Sequence, residues 1–163
     1  MKLFKFIRPL FKNASKKKVR LIKSACLLHD VNWRAHPDYR AEVCFDNATR
    51  ANLGGLSHKE RIFLGVSLLH RYKNSRLNTK HENVLKLLSF EELKEAEILG
   101  KAMRFGAMFS IVGSHIPAKL QWDPKHKVIR LILKTKSQKL YGEVVEARFL
   151  SLAKSAEAKI EVV

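Results

Sequence analysis

Between Cys26 and Arg40 the chain reads Cys-Leu-Leu-His-Asp-Val-Asn-Trp-Arg-Ala-His-Pro-Asp-Tyr-Arg, a run holding His29, His36, Asp30, Asp38, Arg34, Arg40, Trp33 and Tyr39. Imidazole, carboxylate and guanidinium groups at this density can ligate a metal, bind an anion, or hold a corner of the fold together. The adjacent His29 and Asp30 are the metal candidates. Neighbouring side chains on a helix diverge by ~100°, so this pair shares a cation only where other ligands complete the shell. His36 and His70 are the imidazoles that a metal-dependent hydrolase built on this pair would add. For an anion, Arg34, His36 and Arg40 are joined further along by His70, Arg71 and Lys73. They line one groove if the helices that carry them pack beside the His-Asp helix end. Guanidinium forks hold phosphate oxygens in pairs and lysines add point charge. The structural role is that Asp30 bonds Trp33 or pairs with Arg34 or Arg40, and that Arg34 and Arg40 pair with Asp30, Asp38 and Glu42. For Arg40 both roles stay open.

Nucleophilic catalysis has no such support. Neither Cys26 nor Cys44 has a local cationic partner, and no serine stands in a strand-to-helix elbow. The two cysteines fall inside helical patterns and read as small buried apolar residues of a reducing compartment. Lys and Arg number 32 against 15 Asp and Glu, a formal charge of +17 with a pI near 10.1. A field of that sign concentrates polyanions such as RNA, DNA, polyphosphate or acidic surfaces, without choosing among them. Charges interrupt the apolar residues 1–11, so they lack the core of a secretory signal. The longest uncharged stretch, 105–118, is too short to span a bilayer. A soluble, cytoplasmic protein with no membrane partner is expected.

The elements that position these residues follow from periodicity and capping. Residues 1–14 are a basic lead-in. Ser15 opens a helix reaching about Val31, with Val19, Ile22, Ala25, Cys26, Leu28 and His29 on one face. Pro37 starts a second helix, to about Arg50, with His36 before it. Gly54-Gly55 reads as a turn. Three Ser/Thr-x-x-Glu boxes, at Ser57–Glu60, Thr79–Glu82 and Ser89–Glu92, open three more helices, the last running to about Val112. After Pro117 the pattern changes to two strands, 119–122 and 127–133, joined by a proline turn. A short strand at 139–141, a helix from Glu143 to about Ala156 facing inward with Val144, Ala147, Leu150 and Leu152, and an edge strand at 160–163 complete the tail.

Taken together, Leu28-His29-Asp30-Val31-Asn32-Trp33-Arg34-Ala35-His36-Pro37-Asp38-Tyr39-Arg40-Ala41-Glu42, Gly55-Leu56-Ser57-His58 and Leu69-His70-Arg71-Tyr72 resemble the C-terminal, HD-like part of the Ppx/GppA exopolyphosphatase and guanosine pentaphosphate phosphohydrolase family. Tyr141-Gly142-Glu143-Val144-Val145-Glu146-Ala147-Arg148-Phe149, with Leu152-Ala153, is similar to that family's end, and Pro9-Leu10-Phe11 to the segment just before the body. The resemblance implies a mainly α protein: an HD-like helical domain over 15–117, then a small α/β subdomain, strand-strand-helix, over 118–163. The family's actin-like half, with its phosphate-binding glycine loops and metal-positioning acids, has no counterpart in this sequence. The chain therefore looks like a stand-alone or split-off C-terminal portion. By resemblance it binds polyphosphate or a related polymer, docks on a catalytic half or on itself, carries no cofactor, and cuts no bond alone.

Two other functions compete. An HD-type metal site needs a histidine on a helix before the His-Asp pair and an aspartate well downstream; no histidine precedes His29, and Asp38, Asp46 and Asp123 do not stand late in the helical body. A divalent-metal phosphohydrolase using His29, Asp30, His36 and His70 is thus the alternative rather than the leading expectation. A basic nucleic-acid module would stack bases on Trp33, Tyr39 and Tyr72, but helical placement predicts these rings to be core, and no helix-turn-helix or RNP-type signature appears.

Overall fold

The computed structural model describes residues 2–74, 81–110 and 118–163. Helix α1 (Lys2–Ile7) runs into a 3-10 turn, Arg8–Phe11, and helices α2 (Lys16–Leu28), α3 (Pro37–Arg50), α4 (His58–His70), α5 (Glu82–Leu85) and α6 (Phe90–Ser110) follow. Strands β1 (Ala118–Asp123) and β2 (Val128–Leu133) pair antiparallel. A 3-10 turn (Thr135–Leu140) leads to α7 (Glu143–Ser155) and β3 (Lys159–Val162), which lies parallel to β2 at the sheet edge. The mainly helical architecture with a small α/β end is as the sequence predicts.

Helix starts follow side-chain chemistry. Ser15 Oγ accepts from Lys18 N, and Ser57 and Glu60 form the reciprocal capping box that opens α4. Ser89 and Glu92 do the same ahead of α6, with Ser89 N donating to Glu92 Oε2 at 2.8 Å. The predicted box at Thr79 lies outside the described residues.

Helix α4 is the central element. Every residue from Ile62 to His70 is buried, because α3 covers one flank and α6 another. The helices approach closely at Gly65 and Gly100: a Cβ on Gly65 would stand 3.0 Å from the Thr49 methyl. At the other end of α6 the rings of Phe6, Phe105 and Phe149 meet, Phe105 and Phe149 stacked with centroids 4.7 Å apart.

Two expectations need correction, and one feature was not expected. The basic lead-in joins the core: Leu3, Phe6 and Ile7 of α1 and Phe11 are buried there. The spacing of three and four residues puts them on one helical face, and Lys5 between them points outward. The strand expected at 139–141 is instead the end of a 3-10 turn. Helix α7 buries Val145, Phe149, Leu152 and Ala153, so Val144 and Leu150, expected inside, are 58% and 51% exposed. The sequence offers apolar residues on two faces of α7, and the one carrying Phe149 buries the larger surface.

Candidate functional site

The His-Asp corner is built from the end of α2 and held by the end of α4. Helix α2 stops at Leu28, earlier than predicted, and successive turns carry the chain through Asp30, Asn32 and Ala35 to α3. His36 caps α3, its Nδ1 accepting from Asp38 N at 3.4 Å, and Pro37 takes the first helical position where no N–H is needed. From α4, the Tyr72 hydroxyl donates to the His29 carbonyl oxygen at 2.6 Å and stands 3.2 Å from Asp30 Oδ1. Arg71 Nη2 donates to that same Oδ1 at 3.2 Å. Asp30 therefore pairs with Arg71 across the fold, where the sequence offered Trp33, Arg34 or Arg40. Asn47 Nδ2 donates to Asn32 Oδ1 at 3.0 Å, a second tie between the corner and α3.

Burial sets the protonation states here. It pushes the Tyr72 phenol up to about 12, with Asp30 adding to the rise. Burial also holds His29 below its ordinary value of 6.5, although the Asp30 charge pulls the other way. His29 Nδ1 lies 3.2 Å from Asp30 Oδ1, within ion-pair range, but the angle leaves that nitrogen without a hydrogen bond. The imidazole is neutral near pH 7.

A metal does not fit this donor set. Among the described residues no group of three or more His, Cys, Asp or Glu side chains is placed to hold an ion, and Asp30 Oδ1 already faces Arg71 and Tyr72. His36 is on the exposed start of α3, and His70 is buried, 6% exposed, where α4 meets α6. His29, Asp30, His36 and His70 thus lie in different surroundings rather than round one cation.

The predicted anion residues divide in the same way. Arg40 Nε and Nη2 both donate to the Ala35 carbonyl oxygen, at 3.1 and 2.9 Å, and its guanidinium lies over the Tyr72 ring. Arg71 covers that ring from its own side, 4.8 Å from the centroid. Lys73 Nζ pairs with Glu42 Oε1 at 2.6 Å, which draws the Glu42 carboxyl below its ordinary range against the opposing effect of burial. Arg34 is exposed and stacked on Trp33. His70 stands apart from the rest: its neighbours are Gly100, Glu97 and Lys101 of α6. Arg34, Arg40, Arg71 and Lys73 belong to the corner and the α3–α4 seam, and of these Arg34 and Arg40 have no ion pair among the described residues.

The aromatic expectation is overturned at two positions. Trp33 and Tyr39 are 61% and 67% exposed, because the turns after α2 and the outer face of α3 have nothing packed over them. Tyr72 is the half-buried ring of the three.

Two further arginines stand beside Arg71 that the sequence reading missed. Arg104 Nη1 donates to Asn74 Oδ1 at 3.0 Å, and Arg148 reaches Met108 Sδ. The one sequence signal for Arg104 is that it is the sole formal charge between Lys101 and Lys119. Arg148 has no such mark, since charged residues surround it.

No helix among the described residues is long and apolar enough to cross a membrane. Comparison with curated proteins gives no match. Residues 11–163 match the family described as exopolyphosphatase, C-terminal, which takes in the His-Asp corner, the α4 seam and the α/β end alike. The chain belongs to the exopolyphosphatase C-terminal family.

Proposed function

We propose that this protein binds polyphosphate or a related phosphate polymer through its exopolyphosphatase C-terminal region. The observation that carries this reading is charge: a member of an exopolyphosphatase family has 32 basic against 15 acidic residues, and the excess matches a polyanion. A phosphate polymer presents negative charge and acceptor oxygens without bases, so arginine forks and lysines suffice to hold it. Docking on a catalytic half or on a second copy is part of the proposal. The deciding measurement is titration of the purified chain with long-chain polyphosphate, with DNA and RNA as competitors at equal phosphate concentration. Tighter binding of polyphosphate supports the reading, and displacement by a nucleic acid of higher affinity ends it. Phosphate release from polyphosphate by the chain alone would show that it is an enzyme in its own right.

The exposure of Trp33 and Tyr39 favours a second reading, a single-stranded nucleic-acid module. The exposed rings, Trp33 under Arg34 and Tyr39 beside His36, supply stacking platforms within a positive field. It predicts that replacing both rings by alanine weakens RNA binding and leaves polyphosphate binding intact.

A further inference from the structure

Several lysines among the described residues are answered by a nearby carboxylate. Lys17, Lys18 and Lys59 line a cavity of about 230 Å³ at the starts of α2 and α4, and Glu60 and Glu92 line the same cavity. Lys17 and Lys59 reach those two acids, and Lys18 reaches Glu95. Lys73 has Glu42, and Lys101 has Glu97. The junction of α4, α6 and α7 is different.

There, Arg71 follows the end of α4, Arg104 projects from α6 and Arg148 from α7. Asn74 locks the three elements: its Oδ1 accepts from Arg104 Nη1 at 3.0 Å and from Ser151 Oγ at 3.3 Å. Ser151 lies one turn from Arg148 on α7, and Met108, which Arg148 touches, lies one turn from Arg104 on α6. All three guanidinium groups are at least partly buried, and Arg71 Nε is fully shielded with no hydrogen-bond partner. Among the described residues neither Arg104 nor Arg148 forms an ion pair, and the one carboxylate at this junction is Asp30, on Arg71. Burial, then the Arg148 and Arg71 charges, holds Arg104 below the ordinary arginine range, and burial with Arg71 does the same to Arg148. Three converging cations facing one carboxylate repel one another, and packing alone does not require them there.

We propose that Arg71, Arg104 and Arg148 form a binding site for one phosphoryl group at the α4–α6–α7 junction, with the Ser151 hydroxyl beside it. A terminal phosphoryl group has three acceptor oxygens and up to two negative charges, which suits three guanidinium groups that have one carboxylate, Asp30, between them. Free phosphate, pyrophosphate and the end of a polyphosphate chain share this chemistry. The site rests on the polyphosphate reading for its physiological ligand but not for its existence.

The test is calorimetric titration of the full chain with pyrophosphate and, separately, with long-chain polyphosphate. Wild-type protein is expected to bind one equivalent of pyrophosphate, and Arg104→Gln and Arg148→Gln each to weaken it at least about tenfold. Lys119→Gln, which removes the same charge from an exposed position on β1, is expected to leave it unchanged. Arg104→Lys keeps the charge and loses the fork; it should fold as the wild type and still bind several-fold more weakly. No pyrophosphate binding by the wild type, or arginine variants that bind as the Lys119 control does, would overturn the site. Full polyphosphate affinity in the Arg104→Gln/Arg148→Gln double variant removes the site and leaves the family reading standing. Arginine-dependent pyrophosphate binding without polyphosphate binding does the reverse.

Discussion

Gly100 of α6 lies directly against His70 of α4: a Cβ at Gly100 would stand 2.5 Å from the His70 Cβ and closer still to the Ser67 carbonyl oxygen. Backbone cannot move aside as the tip of a side chain can. Gly100→Ala is therefore expected to destabilise the protein by about 3 kcal/mol, read as a lower urea midpoint. A midpoint equal to the wild type would mean that the two helices are not in this contact.

The same interface predicts a pH dependence. Burial holds His70 and His29 below 6.5, so both are neutral in the fold. Protons then bind the unfolded chain more readily, and stability is full above pH 6.5 and declines as pH falls through 6.5 toward the folded values. The charges facing His70 are Glu97 and Lys101, which pull in opposite directions. Glu42, Glu60 and Glu92 are held below 4.5 and begin to lose their contribution only near that pH. Thermal melts between pH 7 and pH 5 should show a falling midpoint in the wild type and a flatter profile in His70→Gln.

Asp30 binds the α2–α3 corner to α4 and is also the carboxylate nearest the arginine junction. Asp30→Asn should lower stability by about 1 kcal/mol, since the pair is half exposed. The same change should tighten pyrophosphate binding severalfold by removing the competing charge from Arg71. Loss of binding in that variant would mean that the aspartate serves the ligand rather than opposing it.

The Glu60 carboxylate has three partners, Ser57, Arg20 and Lys17. Its Oε2 accepts from Ser57 N at 2.7 Å, while Arg20 Nη2 donates to Oε1 at 3.0 Å. The Ser57 bonds hold its carboxyl below the ordinary range. Glu60→Ala removes half of the capping box and frees two cations, an expected loss of about 2 kcal/mol by chemical denaturation.

Trp33 and Tyr39 make few packing contacts, so Trp33→Ala and Tyr39→Ala should each change stability by less than about 0.5 kcal/mol. A large loss would show that these rings are covered in solution, by a second copy or by another part of the assembly.

Local chemistry made much of this architecture legible. Proline fixed the start of α3, and the Ser57 and Ser89 boxes fixed those of α4 and α6. Where two apolar faces compete, as on α7, periodicity names a helix but cannot choose its inner side. Lysines dispersed through α1 concealed the spacing of Leu3, Phe6 and Ile7, which reads as helix only once the outward cations are set aside. The His-Asp corner was visible as a dense run, but its partners Arg71 and Tyr72 are more than forty residues away. Arg104 and Arg148 illustrate the limit: each is unremarkable along its own helix, and the chemistry arises only when α6 and α7 pack together.

The stack of Phe6, Phe105 and Phe149 also has a kinetic meaning. Its members come from opposite ends and the middle of the sequence, so the loops between them must close before any of the three gains its neighbours. Loop closure over such spans is entropically slow and makes native topology, rather than helix formation, the barrier to folding. Contacts among α2, α3 and α4 are closer in sequence, whereas the junction of Arg71, Arg104 and Arg148 needs α4, α6 and α7 together. Conditions that loosen that aromatic stack should therefore abolish anion binding before they melt the helices.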